Sequence, residues 1–190
     1  MRIVERTSLK LLICLSILSV TVSCGNKKEL GRVLDDFTSQ QIRFPDKMLT
    51  VAFGKLEERE VPQSPTLVMY VDQSQCSECR LGRLSDYRFL LRFEEKGINV
   101  LFIFSPSPEN VNEVIEDLIR YKYPYLVWID SQGEFAQMNQ HIPNLIHFHT
   151  FLLNSNNYPI FVGDPVVSEG MMPVLEKAIY GGKNEMRIIG

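Results

Sequence analysis

The chain has 190 residues, of which 45% are hydrophobic and 23% charged, and its formal net charge is −3 at pH 7. This length fits one domain plus a targeting segment, and the composition is that of a protein with a globular core. A mildly acidic chain without a basic patch argues against nucleic acid as a partner.

The chain begins with the pattern of a bacterial export signal. Residues 11–18 form an apolar run that is too short to span a bilayer as a mature helix. The basic residues before or at the start of this run are Arg2, Arg6 and Lys10. We therefore predict a signal peptide over residues 1–23.

A small residue, Ser23, then precedes Cys24, as in a lipobox. In that motif the cysteine is lipid-modified and becomes the first residue of the mature protein. Thr21 is a poor match to the motif, and the alternatives are a plain signal peptide or an uncleaved anchor. The motif predicts lipidation at Cys24 and a position in the cell envelope, facing the periplasm.

The segments that follow divide into a tether, a folded domain and a tail. Their predicted bounds are 24–35, 36–182 and 183–190. Apolar residues with helical spacing predict a short helix at the start, and they are Leu30, Val33, Leu34 and Phe37. We expect one or two short strands between Ile42 and Gly54, and a loop in the charged segment 55–65, which holds two prolines.

From residue 66 the pattern alternates between strands and helices. The predicted strands are 67–72, 98–104, 125–130, 150–153 and 159–163. The predicted helices are 80–96, closed by Gly97; one capped by Ser107 with Pro108 at its first position; a short one within 133–141; and a last one ending at Gly181 and Gly182. The face of the first helix is predicted to hold Leu81, Leu84, Tyr87 and Leu91. This β-α-β-α-β-α-β-β-α order predicts an α/β fold with a mixed central sheet, a C-terminal β-hairpin and a closing helix.

Cys76 and Cys79 lie between the first of these strands and its helix. Cys14 leaves with the signal and Cys24 takes the lipid, so this pair supplies the remaining thiols of the folded domain. Two thiols one turn apart can close a disulfide, and a helix N-terminus stabilises a thiolate. So short a loop constrains the unfolded chain little, which favours a redox or metal role over a structural one.

The chain resembles thioredoxin-like domains, and more closely the membrane-anchored TlpA/ResA and peroxiredoxin-like bacterial branch. The position of the CxxC carries the resemblance, together with the strand 125–130 and the segments 150–154 and 158–165, which are similar to that branch's hairpin. The resemblance covers about residues 36–182 and implies a three-layer thioredoxin-like fold.

The sequence departs from this family at three positions. Gln75 stands where members usually carry an aromatic residue, and Glu78 stands where they often carry proline. Phe148 or His149 replaces the cis-proline that faces the CxxC in the family. A non-proline cis bond costs about 3–4 kcal/mol, so we expect a trans bond there.

The resemblance implies that Cys76 is the nucleophile and Cys79 the resolving thiol. Glu78 should oppose thiolate formation by like charge, whereas Arg80 should offset that effect. Asp72 and Asp130, which end predicted strands, and Glu78 are candidates to assist proton transfer, although carboxylates at strand ends are usually solvated.

His147 and His149 precede a predicted strand that should face the CxxC. Alternate strand residues point the same way, so both imidazoles are predicted on one face, with one near Cys76. The simpler alternative is that they are surface or half-buried histidines.

The leading hypothesis is a lipid-anchored thiol–disulfide oxidoreductase that needs no cofactor and acts on protein thiols and disulfides of the envelope. One alternative is a Cu(I) or other metal-binding chaperone with Cys76, Cys79 and His149 as ligands, similar to the Sco-type proteins. Another is a non-catalytic binding module on the same scaffold.

Overall fold

Seven strands form a single mixed sheet in the computed structural model, which describes residues 28–62, 65–75 and 81–181. Among the described residues, contacts divide the chain into one unit that ends at Asp36 and a second that begins at Phe37. Residues 28–38 form a helix, α1, where the apolar spacing predicted one. The predicted signal peptide and C-terminal tail lie outside the described residues.

The sheet has the strand order β2-β1-β5-β4-β3-β6-β7. Its strands are β1 (Lys47–Ala52), β2 (Lys55–Glu60), β3 (Thr66–Val71), β4 (Asn99–Phe104), β5 (Val127–Ile129), β6 (Thr150–Leu153) and β7 (Pro159–Val162). The central strands β3, β4 and β5 run parallel, whereas the β1–β2 and β6–β7 hairpins pair antiparallel at either side. All six residues of β3 are buried, which fits its continuous apolar sequence.

The helices complete a three-layer arrangement, with the mixed sheet between two helical layers. They are α2 (Val111–Tyr121), α3 (Glu134–Met138) and α4 (Met171–Tyr180), with 3₁₀ helices at Leu84–Lys96 and Ile146–Phe148. The chain moves in the same direction across the sheet from β3 to β4 and from β4 to β5. Because crossovers between parallel strands are right-handed, the two connecting segments lie on the same face of the sheet. The buried residues of these crossovers share one apolar cluster with the sheet and with Leu175 of α4.

The segment after the CxxC is a 3₁₀ helix over Leu84–Lys96, where an α-helix was predicted. Its buried residues recur every third position, at Leu84, Tyr87, Leu90 and Phe93, and a helix with three residues per turn aligns them on one face. Leu91, predicted on this face, is only partly buried. Gly97 ends the helix in the left-handed conformation, as predicted.

Aromatic residues dominate the opposite face of the sheet. Phe37 packs edge-on against Phe148 and Phe151, with ring centroids 6.0 and 5.5 Å away. Tyr70 of β3 packs against Phe135 of α3 at 5.2 Å. This layer fixes α3 and the chain before β6 against the sheet.

Two predicted boundaries were wrong. Residues 55–60 form the edge strand β2 rather than a loop, and every side chain of that strand is exposed, so no apolar alternation marks it. Helix α2 begins at Val111, because Ser107 and Pro108 instead begin a turn in which the Asn110 N–H donates to the Ser107 carbonyl at 2.9 Å.

Candidate functional site

Four strand ends meet at one edge of the sheet. Asp72, Ser105 and Asp130 directly follow the parallel strands β3, β4 and β5, while His149 directly precedes the antiparallel strand β6. The Tyr70 N–H donates to the His149 carbonyl at 2.7 Å, so the start of β6 lies against the end of β3. This edge is the one from which the chain leads to Cys76.

A tight turn carries the chain from β3 towards the CxxC. The Asp72 carbonyl accepts from the Gln75 N–H at 3.1 Å, and Asp72 Oδ1 accepts from the Ser74 N–H at 3.0 Å and the Ser74 hydroxyl at 2.6 Å. An Asp side chain that bonds the backbone two residues later is a common turn device. The turn therefore fixes Gln75, the residue before Cys76.

Gln75 is also held by His149. Its Nε2 lies 2.6 Å from His149 Nδ1, and His149 Nε2 lies 2.9 Å from the Pro143 carbonyl oxygen. Because a carbonyl only accepts, the neutral imidazole carries its proton on Nε2, and Nδ1 accepts from the Gln75 amide. His149 is 3% exposed, and its Nε2 is 3.8 Å from Asp72 Oδ2.

A buried polar network lies beneath this edge. The Ser105 hydroxyl donates to Asp130 Oδ2 at 2.8 Å, and Ser105 also bonds the Tyr70 side chain. Burial raises the pKa of Tyr70 to about 12, and the nearby carboxylates of Asp72 and Asp130 add to that increase. Tyr70 is therefore a protonated hydroxyl at neutral pH.

Asp130 also caps helix α3. Its Oδ1 accepts from the Phe135 N–H and its Oδ2 from the Ala136 N–H, each at 3.1 Å. Asp130 is 3% exposed, so the expectation of a solvated carboxylate was wrong at this position. The buried N–H and O–H groups that donate hydrogen bonds to this carboxylate compensate for the cost of burying its charge.

A cleft of about 590 Å³ opens beside these groups. It runs from the turn after β3 to helix α3 and the chain before β6. Its lining is mostly amide and hydroxyl side chains, which are Gln73, Ser74, Ser105, Ser131, Gln132, Gln137, Asn139, Gln140 and Asn144. Tyr70, Asp72 and His149 contribute the remaining polar groups with ionisable side chains.

The predicted site residues are only partly within the described chain. Cys76, Glu78, Cys79 and Arg80 lie outside it, as does Cys24. Among the described residues, His149 lies next to Gln75, whereas His147 is exposed within the 3₁₀ helix Ile146–Phe148. The prediction that both histidines share a face was wrong, since strand alternation does not apply to a 3₁₀ turn.

Sequence reasoning missed the roles of three residues at this edge. Gln75 was noted only as a departure from the family pattern, and Tyr70 and Ser105 were not singled out. Part of this arrangement was predictable, because polar side chains at the carboxyl ends of neighbouring parallel strands meet at one edge of the sheet. The partnership of Gln75 with His149 depends on three-dimensional contact and had no local signal.

The geometry also bears on metal binding. Both ring nitrogens of His149 have partners, so a metal at Nδ1 would have to displace the Gln75 amide. Within residues 28–62, 65–75 and 81–181, no group of three or more His, Cys, Asp or Glu side chains is arranged to hold a metal ion.

No helix in that same part of the chain is long and apolar enough to cross a membrane.

No protein-family model matches the chain, and no curated protein matches it. Solved structures with similarity include AhpC of Enterococcus faecalis, with 13% identity, a TM-score of 0.47 and coverage of 80% of this chain and 97% of that one. A protein named as the thiol:disulfide interchange protein DsbE of Chlorobium tepidum has 10% identity, a TM-score of 0.46 and coverage of 74% and 98%. A hypothetical protein of Sinorhizobium meliloti 1021 has 15% identity, a TM-score of 0.44 and coverage of 80% and 90%. Identities of this size do not establish a shared activity.

Proposed function

We propose that the protein is a thiol–disulfide oxidoreductase of the bacterial envelope that acts through Cys76 and Cys79 and is anchored by a lipid on Cys24. The observation that carries the proposal is the fixed position of Gln75. This residue is held by the Asp72 turn and by His149 beside an open cleft, and it directly precedes Cys76 in the sequence.

In the proposed reaction, the Cys76 thiolate attacks one sulfur of a substrate disulfide. A bond forms between Cys76 Sγ and that sulfur, the substrate S–S bond breaks, and the other substrate sulfur leaves as a thiolate. The Cys79 thiolate then attacks Cys76 Sγ and releases the second substrate thiolate. The CxxC loses two electrons and the substrate gains them, so an external dithiol must return the CxxC to its reduced form.

His149 acts in this proposal as a positioning residue. Its Nδ1 holds the Gln75 side chain, and its backbone carbonyl pairs with β3, so it links the chain before Cys76 to the start of β6. Glu78 and Arg80 are proposed to set the Cys76 thiolate population by opposing charge effects.

The decisive experiment compares single cysteine variants of the full chain. Cys79→Ser should accumulate a mixed disulfide with a peptide disulfide substrate, and mass spectrometry should locate it at Cys76. Cys76→Ser should not form it. A wild-type pair that shows no dithiol–disulfide equilibrium in any dithiothreitol or glutathione buffer would contradict the proposal.

The positioning role has its own measurement. His149→Ala and Gln75→Ala should each change the pH dependence of Cys76 alkylation, and the double variant should resemble either single one because both remove the same contact. The exposed His147→Ala is the matched control and should leave the profile unchanged. Additive effects of the two variants would refute the role.

The copper and binding-module hypotheses stay as predictions. If the protein is a copper chaperone, anaerobic Cu(I) titration should show tight stoichiometric binding that His149→Ala weakens. Unchanged cellular activity in Cys76→Ser would favour a non-catalytic binding module.

A further inference from the structure

The cleft beside the proposed site has an unusual charge distribution. Among its lining residues that the structure describes, Asp72 is the only carboxylate, and there is no lysine or arginine. The other polar side chains are amides and hydroxyls, which bond a polypeptide backbone without selecting for charge. Asp72 is therefore the described residue that determines which charge the cleft accepts.

The two oxygens of Asp72 have different contacts. Its Oδ1 accepts two hydrogen bonds from Ser74 and one of 3.5 Å from Gln75 Nε2. Within the described part of the chain, the nearest cationic candidate to Oδ2 is His149 Nε2 at 3.8 Å, and that nitrogen bonds the Pro143 carbonyl at 2.9 Å. The Asp72 side chain lines the cleft and is 15% exposed, so it is largely shielded from bulk water.

Shielding strengthens the effect of this charge. A carboxylate in a cleft with reduced access to water interacts more strongly with a nearby ligand charge than an exposed one does. It attracts ammonium and guanidinium groups and repels carboxylates. Asp72 lines the cleft and lies four residues before Cys76 in the sequence.

From these contacts we infer that the cleft binds the polypeptide beside the reactive cysteine of the substrate, and that Asp72 selects disulfides flanked by lysine or arginine over those flanked by acidic residues. The inference rests on the proposed thiol–disulfide activity and names its substrate class. Small anionic disulfides such as oxidised glutathione are poor substrates on the same grounds.

The test uses three peptides that form the same mixed disulfide with one leaving thiol and differ only in a Lys, Gln or Glu beside the cysteine. The rate constant for transfer of each peptide to the full-length Cys79→Ser protein is measured at low salt. The order should be Lys, then Gln, then Glu, with a Lys-to-Glu ratio of about tenfold, which corresponds to about 1.4 kcal/mol. Raising the salt should compress the ratio.

Asp72→Asn is the informative variant, because its side-chain carbonyl keeps an acceptor for the Ser74 bonds while the charge is lost. The Lys-to-Glu ratio should fall towards one, and a ratio is insensitive to any change in the intrinsic reactivity of Cys76. Glu58→Gln on the exposed edge strand β2 removes one charge elsewhere and should leave the ratio unchanged. Matching urea midpoints would show that both variants are folded.

The outcomes separate the inference from the proposal beneath it. Equal rates for the three peptides, or a lysine preference that persists in Asp72→Asn, would overturn the inference and leave the thiol–disulfide activity intact. Failure of every peptide to transfer would contradict the activity itself.

Discussion

Replacing Asp130 with alanine should destabilise the fold strongly, although the residue lies at the end of a three-residue strand. The substitution removes the acceptor for two backbone N–H groups of helix α3 and for the Ser105 hydroxyl. Loss of a helix cap costs about 1 kcal/mol. A buried donor without a partner costs about 1–3 kcal/mol. The expected loss is therefore about 2–4 kcal/mol.

Urea unfolding followed by the fluorescence of Trp128 measures this loss directly. Trp128 is the single tryptophan of the chain, is 3% exposed, and lies two residues before Asp130. With a urea m-value of about 1–3 kcal/mol/M, the midpoint should fall by about 0.7–4 M. Ser105→Ala should cost less, and the double variant should cost less than the sum of the two because the unpaired hydroxyl is gone.

Two results would refute this reasoning. An unchanged midpoint in Asp130→Ala would mean that water replaces the carboxylate without cost. Strict additivity with Ser105→Ala would mean that the 2.8 Å contact between the two side chains contributes nothing.

Two further predictions concern buried tyrosines. Tyr87→Phe removes the 2.6 Å hydrogen bond from the phenol to Asp164 Oδ2 and should cost about 1–3 kcal/mol in urea unfolding, whereas the exposed Tyr121→Phe should cost nothing measurable. Equal midpoints for these two variants would contradict the first prediction. Burial raises the pKa of Tyr70 to about 12, while tyrosine in an unfolded chain ionises near 10, so the unfolded state binds fewer protons between these values. Stability should therefore fall as the pH rises from about 10 to about 12, and Tyr70→Phe should show a smaller fall; identical curves would show that Tyr70 does not titrate this way.

The order of elements from β3 onward was predictable because burial leaves a strong pattern in the sequence. Strands covered on both faces have continuous apolar runs, and glycine marks the end of the long helical segment at Gly97. The edge strand β2 was not predictable for the opposite reason. Its six side chains are all exposed, and its pairing with β1 depends on a tight turn at Phe53 and Gly54, both with positive φ. Nothing in a run of charged residues indicates such a strand.

The contacts of the described part of the candidate site were predictable only in part. The resemblance predicted that the start of β6 faces the CxxC, and among the described residues the structure brings His149 to Gln75. The alternation rule failed for His147 because it assumes a strand where the backbone forms a 3₁₀ turn. Asp130 was expected in solvent because the sequence shows only that a carboxylate ends a predicted strand. It does not show that the backbone N–H groups of the next helix donate to that carboxylate.

The contact between Gln75 and His149 joins two positions at which the sequence differs from the thioredoxin-like domains that it resembles. The resemblance implies an aromatic residue at position 75 and a proline at position 148 or 149, and neither would supply this pairing of an amide donor with an imidazole acceptor. The two residues are 74 positions apart, and their side chains meet at 2.6 Å. The contact needs both side chains, because the Gln75 amide donates and the His149 ring accepts. Under the proposed function, this contact and the amide-rich lining of the cleft favour recognition of a substrate through hydrogen bonds and charge.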